Sequence, residues 1–199
     1  MNEIIECDRN IWFTSDLHFM HKNIVKYCNR PVLIENHTEW LIDKLNSVIG
    51  KNDEVYHLGD FSFGSYEDTL AIMKRLNGKW YYLKGNHDNH ERMINLCKES
   101  NSTYLGSSLK NIRIQYHSQK KSKFFVLCHF PIVSWENRGH GSIHCHGHVH
   151  NSVVEAPKVK NRFNVCFDLD FRPFHISEIL NDNMGEFKNA STKIGHQGH

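Results

Sequence analysis

The chain has 199 residues, 39% of them apolar and 23% charged, which suits a soluble globular protein with one substantial core. Its formal net charge of +2 implies no strong electrostatic pull on nucleic acid. The opening MNEIIECDRNIWF lacks the basic and apolar regions of a signal peptide, and no apolar run is long enough to span a bilayer, so a cytoplasmic protein without a membrane partner is expected.

Residues 11–13 read as a strand, and a short helix is expected after His21. Thr38 caps a helix carrying Leu41, Leu45 and Val48, stopped by Gly50. A strand at 55–58 follows, then a helix capped by Ser65 with Asp68, carrying Leu70, Met73 and Leu76 up to Gly78. Residues 80–83 read as strand and 90–99 as helix. Strands are expected at 112–116, 124–127, 142–146, 163–167 and 174–176, and a last helix after Ser177. Strand and helix alternate early and strand dominates later, which reads as α/β with a large sheet component. No linker or repeat divides the chain, so residues 1–180 are expected to form one domain, with 181–199 a polar tail. The clusters Lys120, Lys121, Lys123 and Lys158, Lys160, Arg162 read as solvated charge, the first at a hairpin turn.

The six cysteines include no C-x-x-C pair, and the expectation is buried free thiols rather than zinc ligands or disulfides. Histidine is the outlier, with 16 residues. Polar groups follow five of the strands in turn: Asp16 and His18, then Gly59-Asp60, then Gly85-Asn86-His87-Asp88, then His129, then Gly147-His148-Val149-His150. Ligand sites of open α/β sheets lie at the carboxyl ends of strands, so these five ends can converge. In extended chain residues i and i+2 share a side, which lets Asp16 and His18, or His148 and His150, enter one site. The glycines before Asp60, Asn86 and His148 allow sharp turns there. Carboxylate, imidazole and amide without thiolate suit Mn²⁺, Fe, Zn²⁺ or Ni²⁺. Alone, D-x-H, G-D and G-N-H-D read equally as caps and turns, and G-H-x-H as part of a His-rich tract or a zinc site; the ordered set of five makes the case.

Those motifs, Asp16-Leu17-His18, Gly59-Asp60, Gly85-Asn86-His87-Asp88, His129 and Gly147-His148-Val149-His150, resemble the signature of the calcineurin-like metallophosphoesterases. The resemblance runs from about residue 11 to 150. It implies an α/β fold, a four-layer αββα sandwich of two mixed sheets flanked by helices. It also implies two divalent metal ions, Mn²⁺ foremost, bridged by Asp60. One would take Asp16, His18 and His150, the other Asn86, His129 and His148, and His87 would face the scissile phosphate. Two ions about 3.5–4 Å apart clamp an in-line displacement at phosphorus and turn a shared water into a bridging hydroxide near neutral pH. The expected activity is therefore phosphate-ester hydrolysis, of diesters before monoesters.

His87 is the natural proton donor to the leaving oxygen. Asp88 either orients that imidazole or stabilises its turn. His21 and Asn23 contact substrate phosphate or cap the following helix, and Arg30 and Arg138 pair with phosphate or serve structure. His57, His140, His144 and His146 are read first as structural. Asn89 stands where the family's protein phosphatases carry an Arg, which weakens a phosphoprotein substrate. The substrate is expected to be a small molecule or nucleotide. The competing readings are a non-catalytic module of the same fold that binds a protein partner, and a zinc-stabilised structural protein.

Overall fold

A computed structural model describes residues 4–7, 10–106, 109–116, 121–152 and 157–182. In chain order the elements are β1 (Ile4–Cys7), β2 (Ile11–Thr14), α1 (Ile24–Tyr27), α2 (His37–Asn46), β3 (Glu54–His57), α3 (Tyr66–Arg75), β4 (Lys79–Leu83), α4 (His90–Glu99), β5 (Thr103–Gly106), β6 (Lys110–Tyr116), β7 (Lys123–Leu127), β8 (Ile143–His146), β9 (Arg162–Asn164), β10 (Phe174–His175) and α5 (Ile176–Asp182). Two five-stranded sheets result, ordered β10-β2-β3-β4-β5 and β1-β6-β7-β8-β9. Both are mixed. Strands β2 to β5 run parallel with β10 antiparallel, and β6 pairs antiparallel with β7, whereas β7, β8 and β9 are parallel.

Strand alternation assigns each sheet two apolar faces. Ile11, Phe13, Tyr56 and Leu58 of the first sheet meet Ile112, Ile114, Phe125, Leu127, Ile143 and Cys145 of the second in one buried cluster. Phe13 stacks on Tyr56 and on Phe125, with centroids 5.4 and 5.5 Å apart. The alternate residues Val55, Trp80 and Tyr82 face outward onto Leu41, Leu45, Ile72, Met93 and Leu96 of α2, α3 and α4. Burial on both faces explains why these strands read as continuous apolar runs. On the far side of the second sheet, Phe124 and Val126 lie under Trp135 and Ile132. Among the described residues that outer layer is a loop with a 3-10 turn at Arg138–His140, thinner than the helical layer on the first sheet.

The caps follow the expected chemistry in part. Ser65 Oγ accepts from the Asp68 amide at 3.1 Å and starts α3, and Asn89 does the same for α4 through the Arg92 amide at 3.0 Å. Thr38 is not a cap: it lies inside α2, which Asn36 precedes without a side-chain bond. Val48 is exposed, and Ile42 and Ile49 take the buried places beside Leu41 and Leu45. The strand expected at 163–167 stops at Asn164 and turns into a 3-10 segment at Phe167–Leu169. The β6–β7 hairpin forms around the first basic cluster, but Lys120 lies outside the described residues, as do residues 183–199 of the expected tail. No helix of the described residues is long and apolar enough to cross a membrane.

His144 shows how the second sheet handles a buried imidazole. Its Nδ1 lies 2.9 Å from the Val126 carbonyl and donates to it, and Nε2 accepts from the Ile132 amide at 3.3 Å. Burial holds its pKa down to about 4 against the opposing pull of the carbonyls. The unfolded chain takes up this proton near pH 6.5 and the folded chain does so only near 4, so the unfolded state binds more protons between those values and stability falls as pH falls. The loss is about 1.4 kcal/mol per pH unit for one such group. Denaturant midpoints measured from pH 7 to pH 5 should therefore drop more steeply for the native chain than for His144→Gln. Parallel slopes would contradict the buried neutral imidazole.

Candidate metal centre

The ends of β2, β3 and β4 in one sheet and of β7 and β8 in the other open at the same edge of the molecule. Main-chain bonds hold them there: the Asp16 amide donates to the Gly59 carbonyl at 3.0 Å, His18 to Asp60 at 3.1 Å, Gly147 to His129 at 2.9 Å and Phe167 to Ser15 at 3.1 Å. Asp16, His18, Asp60, His148 and His150 all sit in the left-handed region, with φ of 56°, 49°, 62°, 71° and 47°. Each such non-glycine residue costs roughly 1–3 kcal/mol and persists only where its surroundings enforce it, a pattern that concentrates at functional sites. The pairs Asp16/His18 and His148/His150 thus reach one pocket through left-handed turns, not through the extended chain expected. Gly59 has φ of 106° and does serve a turn. Gly85 and Gly147 serve close approach instead: a Cβ at Gly85 would overlap the Asp60 carboxylate, and one at Gly147 would overlap that of Asp16.

Asp60 lies at the middle of the pocket. Its Oδ2 is 3.4 Å from His129 Nε2 and 3.8 Å from His18 Nε2, and its Oδ1 accepts from the His87 amide at 2.9 Å. To one side, ligand atoms of Asp16, His18 and His150 lie within 4.8 Å of one another. To the other, Asn86 Oδ1 is 2.8 Å from His129 Nε2 and 3.0 Å from His148 Nδ1. Asp16 also accepts the His148 amide at 3.0 Å, which ties the first motif to the last.

The electrostatics suit cations. Burial pushes the Asp60 carboxyl up, but the bond and charge of His129, the His87 amide and His18 outweigh it and hold it at about 2. Burial drives His18 down to about 3, so its imidazole is neutral. Both of its ring nitrogens are buried without a hydrogen-bond partner, at a cost that a coordinated ion would remove. Carboxylate, amide and neutral imidazole around an orphaned buried nitrogen fit borderline divalent ions.

The other expected site residues divide. His87 is exposed at the mouth, its ring 5.7 Å from that of His18. Asp88 does not orient His87: its two oxygens accept the amides of Gly85, Asp60 and Phe61 at 2.9, 2.7 and 3.0 Å, so it fixes the Asp60 backbone. His21 accepts the Ile24 amide at 3.0 Å, the helix-start role held open for it, while its ring faces Phe63 at 4.4 Å. Asn23 stands exposed at the head of α1, where its carbonyl takes the amides of Lys26 and Tyr27 at 3.0 Å each. Arg30 is not available to substrate phosphate, because its buried guanidinium is committed to Asp168 and to the Asp16 and Leu17 carbonyls. His57, His144 and His146 are buried and His140 is exposed in the 3-10 turn.

Sequence reasoning missed four contributors. Asp168 Oδ2 lies 2.6 Å from His150 Nδ1, and Cys28 Sγ lies 3.4 Å from the same nitrogen. Phe63 and Phe130 lie beside the pocket, the first 5.4 Å from the His18 ring and the second 4.6 Å from that of His148. Neither Asp168 nor the two phenylalanines belong to a motif; an unexplained carboxylate beside the apolar run at 163–167 was the one available signal.

The fold and this pocket define a calcineurin-like phosphoesterase: the model of that family matches residues 9–152, and the chain belongs to it. The family carries out metal-dependent phosphoester hydrolysis. The chain is 31% identical over 180 residues to an uncharacterized protein of Methanocaldococcus jannaschii, covering 86% of this chain and 90% of that one. It is 30% identical over 172 residues to the gene 66 protein of Mycobacterium phage L5, covering 77% of this chain and 83% of that one. The crystal structure of a protein of unknown function from Aquifex aeolicus shares the fold, with a TM-score of 0.65 at 23% identity over 87% of this chain and 99% of that one.

Proposed function

We propose that this chain is a phosphodiesterase that works with two divalent ions, Mn²⁺ foremost, one on each side of Asp60. The observation that carries the reading is Asp60 Oδ2, 3.4 Å from His129 and 3.8 Å from His18, one carboxylate oxygen facing both candidate ligand sets. Asp16, His18 and His150 would hold one ion, Asn86, His129 and His148 the other. When bound, the pair supplies a bridging water acidified to hydroxide and neutralises charge building on the phosphoryl oxygens. His87, exposed beside His18, delivers the proton to the leaving oxygen. Asp88 and the His87 amide hold Asp60 in place.

Phe63 and Phe130, 42% and 44% exposed, support diesters over monoesters. They offer apolar surface on the two sides of the pocket, and a diester has two organic substituents to place there. Cys28, Cys97, Cys128, Cys145 and Cys166 are free and buried, which supports a reducing cytoplasmic setting.

The test is hydrolysis of bis(p-nitrophenyl) phosphate against p-nitrophenyl phosphate by Mn²⁺-loaded protein, with the diester favoured in kcat/KM. Phe63→Ala and Phe130→Ala should each raise KM for the diester by about 2- to 12-fold, the equivalent of a lost aromatic contact, at unchanged metal content. Faster turnover of the monoester would overturn the preference. Two bound ions with no turnover of either ester would favour a non-catalytic module.

A further inference from the structure

We infer that Asp168 is a positioning residue of the metal centre, supplied by a segment that follows the family match and anchored by Arg30. The inference rests on the two-ion reading above. Asp168 lies in the 3-10 segment at Phe167–Leu169, beyond residue 152 where the match ends. That segment is brought to the pocket by a parallel bridge between Ser15 and Cys166 and by the Phe167 amide, which donates to the Ser15 carbonyl at 3.1 Å.

The Asp168 carboxylate has three side-chain partners, the weakest being Cys166, whose Sγ donates to Oδ2 at 3.7 Å. Oδ2 accepts from His150 Nδ1 at 2.6 Å, while Arg30 donates from Nε to Oδ1 at 2.6 Å and from Nη2 to Oδ2 at 3.1 Å. The side chains of Arg30 and Asp168 are both 0% exposed. Cys28 and Cys166 place sulfur 3.4 and 3.7 Å from His150 Nδ1, which keeps water from the contact. Arg30 then uses its remaining donors on the first ligand motif: Nη2 reaches the Asp16 carbonyl at 2.8 Å and Nη1 the Leu17 carbonyl at 2.7 Å. His37 Nε2, 2.7 Å from Nη1, accepts from the same guanidinium.

The chemical consequence concerns His150. A carboxylate that accepts a hydrogen bond from Nδ1–H fixes the tautomer and the ring plane and leaves the Nε2 lone pair for an ion. Asp16, His18 and His150 form one candidate ligand group, and Arg30–Asp168 joins the chain segments that carry them. The bonds of Asp168 lead to His150 and, through Arg30, to the Asp16 and Leu17 carbonyls, all on the side of this first group. The device therefore acts foremost on the ion that Asp16, His18 and His150 would hold.

The experiment is Mn²⁺ titration of metal-stripped native protein, Asp168→Asn and Asp168→Ala, followed by calorimetry and by the electron paramagnetic resonance signature of a coupled ion pair, with thermal unfolding in parallel. Native protein should bind two ions. Both variants should bind one ion normally and the second about 10- to 100-fold more weakly, with the coupled-pair signal lost at ion concentrations that saturate the native protein. Since removal of Asp168 leaves Arg30 buried without its carboxylate, a second measurement needs no variant. In Zn²⁺-loaded native protein, nitrogen-15 spectra of the His150 side chain should show a protonated Nδ1 and a metal-bound Nε2. Unchanged affinity at both positions, equal weakening of both together with a lower unfolding temperature, or a His150 bound to metal through Nδ1 would each overturn the inference. Native protein that binds no ion pair would instead overturn the two-ion reading itself.

Discussion

Asp60→Asn is expected to lower Mn²⁺-dependent diester turnover by roughly three orders of magnitude, about 4 kcal/mol of transition-state stabilisation. The substitution keeps shape and size, and the amide oxygen can still accept the His87 amide that Asp60 Oδ1 takes at 2.9 Å. On the two-ion proposal it removes the negative charge between the cations, which would then repel each other across a low-dielectric pocket where Asp60 is 2% exposed. Metal content should fall from two ions to about one, so kcat at saturating Mn²⁺ and elemental analysis should move together. A variant with two ions and native kcat would remove Asp60 from the mechanism.

Phe13→Ala is expected to be the most damaging change remote from the pocket, at about 3–5 kcal/mol. The ring is fully buried and stacks on Tyr56 within its own sheet and on Phe125 across the gap, so its loss opens a void between two layers that α2, α3, α4 and the 128–142 loop hold in place. For a chain of this length the unfolding temperature should fall by roughly 10 °C. Phe13→Leu, which refills most of the volume, should cost under about 1.5 kcal/mol. Equal losses for the two variants would mean that the inter-sheet space collapses freely.

Much of this was legible in the chain because fully buried strands write themselves as unbroken apolar runs. Val55, Trp80 and Phe124 each begin such a run, and a polar group follows each of them into the pocket. The helix at His90–Glu99 was legible for a related reason, since Asn89 caps it and Met93, Leu96 and Cys97 mark its buried side. The strand Thr103–Gly106 at the sheet edge was not, because its residues are only partly covered and carry no alternation. Roles that depend on long-range partners were equally hidden. Asp88 reads either as a partner for its neighbour His87 or as a stabiliser of the turn, and its oxygens go to amides, two of them across the chain; Arg30 reads either as a phosphate partner or as structural, and a carboxylate at position 168 claims it. Local spacing cannot distinguish these outcomes, since nothing near Arg30 in sequence announces Asp168.

The pocket draws Asp16, His18, Asp60 and Asn86 from loops of one sheet and His129, His148 and His150 from loops of the other. Cations held there would rivet the two halves of the sandwich at their open edge. Prising the layers apart would require releasing them, so the free ion concentration would enter the unfolding equilibrium, each tenfold rise above the dissociation constant adding about 1.4 kcal/mol per ion. A chelator would then act on this protein as a denaturant acts, and scarcity of metal would be felt first as fragility.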